Sequence, residues 1–163
     1  MAATQKEVDP TKNQTPTKRV LEEKWGKSVI AAGYTVMPTV VLRYQQRLKL
    51  KPLQVNILLQ LLSYWWQKDS LPRPGKNALA ATVGVDPSTV RRCLKKLEQV
   101  GYLKRIERRK SNKASQPNVY DLQGLIDALQ PLAAEEHQEI LKRKARQAQR
   151  LAGKKPELQL VKK

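Results

Sequence analysis

The segment DPSTVRRCLKKLEQVG, Asp86 to Gly101, constrains the fold more than any other part of the chain. Asp86 suits the N-cap position, since its carboxylate can accept from the free N–H groups of a first helical turn. Pro87 then falls at the first helical position, where its missing N–H costs nothing and its fixed φ suits the helix. Val90, Cys93, Leu94, Leu97 and Val100 recur at helical spacing, and Gly101 stops the run. The pattern predicts a helix from about Pro87 to Gly101, apolar along one stripe. Its opposite face carries Ser88, Thr89, Arg91, Arg92, Lys95, Lys96 and Gln99.

The flanking segments extend this into a unit. Lys76 to Val83 reads as a short helix that buries Leu79 and Ala80, with Gly84 as its stop. After Gly101, Tyr102 to Arg109 is short and β-leaning, anchored by Leu103 and Ile106. KSNKASQP is a polar loop, and NVYDL is a returning strand. Two helices joined at a glycine turn and followed by a hairpin make a helix-turn-helix with a wing. The expected fold class is therefore mainly α with a small β-hairpin wing, plus a long C-terminal helix.

The rest of the chain fills in around this unit. Residues 1–16 are rich in Thr, Lys, Gln, Asn and Pro, and read as a disordered arm. Thr17 to Ala32 is a short helix weakened by Gly26. YTVMPTVVL reads as extended because Pro38 holds Met37 out of the helical region, and Val40 to Leu50 turns helical before Pro52. Leu53 to Gln67 is expected as a central helix, apolar almost all round and ending in Tyr64, Trp65 and Trp66. LPRPG is a connector. Leu125 to Leu129 begins a closing helix that Pro131 breaks, and Leu132 to Ala152 is a separate charged helix with a thin alanine-rich stripe. The expected division is an arm over 1–16, a winged helix-turn-helix domain over 17–130, a charged helix over 131–152 and a basic tail over 153–163.

Charge then decides the class of partner. The chain has 163 residues, with 32 Lys and Arg against 14 Asp and Glu, a net charge of +18. Such a surplus repels itself in a compact chain unless something anionic binds, and nucleic acid is the first candidate for a basic protein of this size. From Arg91 to Lys113 the sequence nets +8, with only Glu98 and Glu107 opposing. A helix fits the major groove of B-DNA and meets base edges near its start. Ser88, Thr89, Arg91, Arg92 and Lys95 are the expected base readers, the two arginines because each can reach guanine bidentately. Lys96, Lys104, Arg105, Arg108, Arg109, Lys110 and Lys113 are expected on the phosphate backbone, with Arg73 and with Lys76 and Asn77 at the start of the bracing helix.

Other chemistry is harder to find. Cys93 is the single cysteine and His137 the single histidine, so neither a disulfide nor a Cys/His metal site can be assembled. No phosphate-binding glycine loop is present, since PGKNA lacks the pattern, and the carboxylates Asp69, Asp86, Asp121 and Asp127 are scattered. No catalytic residue, metal or cofactor is expected. The longest apolar stretch, Val55 to Trp66, is well short of the roughly 20 residues a membrane span needs. A cytoplasmic, nucleoid-associated protein without a membrane partner fits. Cys93 lies on the apolar stripe and reads first as a small core residue, and Trp65 and Trp66 read as packing rather than a stacking platform.

One resemblance adds to this. Over Trp25 to about Leu129 the chain resembles a bacterial winged-helix family found in phage- and plasmid-type replication initiators and small transcription regulators. The residues that carry it are KWGKSVIAAGYTVMP, LLQLLSYWWQKD, NALAATVGVDPSTVRRCLKKLEQVGYLKR and NVYDLQGL. LAATVGVDPSTVRRCLKKLEQVGYL is also similar to the winged helix of GntR-type regulators. The resemblance implies a sequence-specific duplex-DNA binder, either a transcription regulator or an initiator without nicking activity, in contact with replication or transcription machinery. Three alternatives stay open beside it: an architectural or bridging protein that binds DNA by charge alone, a winged-helix protein-interaction module, and pairing of two copies through the Leu132–Ala152 helix.

Overall fold

The structure is a computed structural model that describes residues 16–108 and 117–153. It divides into two compact units, Met1–Thr35 and Val36–Lys163. The first unit holds α1 (Pro16–Trp25) and α2 (Lys27–Ala31). They are separated at Gly26, whose φ of 88° no helical residue shares. The glycine thus breaks the segment in two. Ion pairs one turn apart, Lys18 with Glu22 and Arg19 with Glu23, line α1.

The second unit opens with α3 (Thr39–Arg43), then α4 (Pro52–Ser63), α5 (Lys76–Val83), α6 (Pro87–Gln99), strands β1 (Lys104–Ile106) and β2 (Val119–Asp121), and α7 (Gln123–Ala152). Extended chain runs only as far as Pro38, which caps α3 with φ −60° and ψ 129°. A proline restrains the residue before it and leaves the residues after it free, so Val41 can turn helical and bury completely. The chain then reverses through turns at residues 44–49, with Lys49 held at a φ of 52°.

Helix α4 is the spine of the core. Ile57, Leu58 and Leu61 are fully buried against α5 and α6. It ends at Ser63, short of the expected Gln67. The Ser63 hydroxyl bonds back to the Gln60 carbonyl, and the Trp65 indole N–H reaches the Lys68 carbonyl in a following turn. Trp65 and Trp66 therefore leave the helix, and Trp66 is 69% exposed.

The hairpin is antiparallel, with Lys104 opposite Asp121, Arg105 opposite Tyr120 and Ile106 opposite Val119. The Tyr120 N–H bonds the Pro72 carbonyl at 2.9 Å, so the LPRPG connector lies along the wing as well as linking helices. Pro72 and Pro74 are buried, which a donor-less residue tolerates because only its carbonyl is needed there. Leu103 anchors the hairpin as expected, whereas Ile106 is partly exposed.

The largest departure is α7. It runs 30 residues without interruption, with Pro131 inside it. The lost N–H would have bonded the Asp127 carbonyl, and both residues lie on the solvent side, where water can take the carbonyl. Leu129 and Leu132, on either side of the proline, are both buried and hold the turn in place. The first half of α7 comes so close to the turn after α6 that a Cβ on Gly124 would sit 1.8 Å from the Gly101 carbonyl oxygen. Ion pairs of Glu136 with Arg43 and of Glu135 with Arg47 then fasten the middle, and the Tyr44 hydroxyl donates to Glu136. Among the described residues no helix is long and apolar enough to cross a membrane.

Candidate nucleic-acid interface

The interface is built on how α6 is held. The Asp86 carboxylate accepts from the Ser88 N–H at 2.7 Å. Hydrogen bonds from Ser88 hold that carboxyl below its usual range, and the charges of Arg92 and Arg91 lower it further. Gly84, at a φ of 73°, ends α5 and turns the chain into this cap. Val90, Leu94 and Leu97 are buried, with Cys93 half-buried at the edge of the stripe. Val100, expected on the stripe, is 56% exposed because the helix has ended at Gln99.

With the stripe inward, helical geometry sorts the other residues. Ser88, Arg92, Lys95 and Gln99 point away from the core. Arg91 and Glu98 occupy the flank toward the wing, and Thr89, Cys93 and Lys96 the flank toward α4. Arg91, Arg92, Lys95 and Lys96 are all exposed, and Thr89 is half-buried. Two of the expected readers are already engaged: Ser88 in the cap, and Thr89 as acceptor for the Arg92 guanidinium at 3.1 Å. That bond fixes where Arg92 reaches.

The expected backbone contacts separate into distinct environments. Lys104 and Arg108 are exposed on the wing, as are Arg73 on the connector beside it and Lys76 and Asn77 at the start of α5. The first turn of α5 has Gly75 as its cap and no side-chain bond to its N–H groups, which leaves them available to an anion. Arg105 differs. It is half-buried opposite Tyr120 and paired with Glu98 at 3.3 Å, and its Nε is buried without a partner among the described residues. That ion pair ties the wing to α6. Arg109, Lys110 and Lys113 lie outside the described residues.

On the α4 flank the structure assembles what the sequence pattern did not suggest. A pocket of about 180 Å³ is lined by Lys51, Leu53, Gln54, Thr89, Arg92, Cys93 and Lys96. Its signal in the sequence was the alternation in RLKLKP, where Leu48 and Leu50 bury and Arg47, Lys49 and Lys51 stay outside. Among the described residues no group of three or more His, Cys, Asp or Glu could hold a metal ion.

Residues 37–140 match the family described as the DnaD N-terminal domain. This match begins twelve residues after the start of the resemblance read from the sequence and continues into α7. No curated protein matches the chain. Solved structures with likeness include a possible transcriptional regulator from Methanosarcina mazei, at 18% identity, covering 63% of this chain and 82% of that one, with a TM-score of 0.42. Another is a MepR mutant from S. aureus, at 16% identity, 88% and 100% coverage and a TM-score of 0.41. A transcriptional regulator from Thermotoga maritima shares 20% identity over 83% and 82%, with a TM-score of 0.38. Likenesses this distant carry no functional inference.

Proposed function

Because the chain belongs to the family of the DnaD N-terminal domain, we propose that it binds duplex DNA sequence-specifically, with α6 in the major groove and the wing on the backbone. The observation that carries this reading is the pairing of a rigidly capped, core-anchored helix with an exposed cationic outer face. Arg91, Arg92 and Lys95 meet base edges, with Ser88 and Thr89 framing them at the start of the helix. Lys96, Lys104, Arg108, Arg73, Lys76 and Asn77 neutralise phosphates, joined by Arg109, Lys110 and Lys113 of the wing loop. Arg105 holds the wing in register.

The role we assign is a non-catalytic one on the nucleoid, in replication initiation. A transcription regulator would use the same parts, and site arrangement separates the two. Selection from a random duplex pool at about physiological salt, where non-specific binding is weak, is the test. A recovered motif supports base reading, and tandem copies of it support an origin binder. An inverted repeat with half-sites about one helical turn apart supports a dimeric regulator. Salt-sensitive binding without any motif overturns sequence reading in favour of a charge-driven architectural protein, and absence of DNA binding leaves a protein-interaction module.

A further inference from the structure

On its α4 flank, helix α6 forms one side of a basic pocket. The pocket there draws three cations from two elements, Lys51 at the start of α4 and Arg92 and Lys96 from α6. None of the ion pairs described engages any of the three. No carboxylate lines the pocket. Its floor is Leu53, Gln54 and Cys93, so the ammonium groups stand at the mouth on aliphatic stems.

We propose that Lys51 and Lys96 hold a backbone phosphate of the duplex at the mouth of this pocket, so that α6 is gripped from both flanks, by the wing on one side and the start of α4 on the other. This rests on the DNA-binding reading above. The geometry favours a phosphate over a larger ligand. A cavity of about 180 Å³ is below the roughly 300 Å³ at which small-molecule sites usually begin. The mouth also adjoins the outward face of α6, where the sugar–phosphate wall of an occupied groove passes. The positive end of α4 adds a favourable field. Lys51 is suited to being tested alone, because its cap uses the backbone: its N–H bonds the Gln54 Oε1 at 2.8 Å, and the side chain plays no part.

The experiment measures the affinity of the full chain for one duplex across a salt series, for wild type, Lys51→Ala, Lys51→Arg and Lys104→Ala. It is paired with the rate of alkylation of Cys93, the single cysteine. Each lost phosphate contact lowers the salt slope by about 0.9, which corresponds to about fivefold in affinity at about 0.15 M salt. Lys51→Ala is expected to show both losses equally on all sequences, Lys51→Arg to restore them, and duplex to slow alkylation of Cys93. If Lys104→Ala loses slope while Lys51→Ala keeps it, DNA binding stands and the second grip is wrong. If wild type binds no duplex, both readings fall. If inorganic phosphate alone protects Cys93 at millimolar concentration, the pocket serves a free anion and the backbone assignment is overturned.

Discussion

Helix α6 and the far half of α7 are both dense in Lys and Arg, yet the molecule holds them in opposite ways. In α6 the apolar stripe is sealed, with Val90 and Leu97 at 0% exposure, so the basic face opposite has a fixed position. Beyond Glu136, α7 carries Lys142, Arg143, Lys144, Arg146 and Arg150, while Leu141 and Leu151 of its stripe are 46% and 66% exposed. The same charge density is thus a placed surface in one helix and a solvated rod in the other. Charge alone makes affinity for polyanions, and burial of the opposite face turns that affinity into geometry.

The comparison can be broken most directly in the core. Leu97→Ala is expected to cost about 2–5 kcal/mol in denaturant unfolding, whereas Leu151→Ala should stay within about 0.5 kcal/mol. Similar losses at the two sites would show the far half of α7 packed against a second copy. Glycines give the next contrast. Gly124→Ala drives a methyl into the Gly101 carbonyl and should cost about 1–3 kcal/mol. Gly153→Ala meets nothing closer than 3.5 Å and should leave the melting temperature almost unchanged.

On DNA, Arg91→Ala should cost about 1–3 kcal/mol on the preferred site and relax the choice of base. Arg143→Ala should leave base preference intact in the same competition assay. Equal effects on preference would remove the distinction between the helices.

The smallest effect is that of pH. Hydrogen bonds from Ser88, with the nearby arginines, lower the Asp86 carboxyl below its usual range. Its contribution is therefore fully present above the unfolded value, near pH 4, and is lost as pH falls through the lower folded value. Glu135, held low first by Arg47, and Glu136, held low first by the Tyr44 hydroxyl, act with the same sign. The difference between wild type and Asp86→Asn in acid melting isolates the cap. A difference that stays flat down to pH 2 would remove Asp86 as its source.

Much of α6 was legible because its signals are local. Asp86, Pro87, the stripe and the glycine turns each act within a few residues, and the structure places the helix within two residues of where they predict. The site was legible in composition but less so in role. The sequence pattern places Arg105 among the phosphate contacts, and only the three-dimensional packing brings it within 3.3 Å of Glu98. Lys51 carries no such signal, because RLKLKP lies roughly 40 residues from α6 and no periodicity connects the two.

The sequence by itself determined helix α6, its cap, its basic outer face and the hairpin that follows, because capping, helical period and turn chemistry are short-range. Tertiary structure decided the rest: that α7 passes through Pro131, that Trp65 and Trp66 leave α4, that Arg105 pairs with Glu98, and that Lys51 and Lys96 line one pocket. Each of those depends on what packs across from a residue, and burial on both sides of a weak point can outweigh the local preference that would break it.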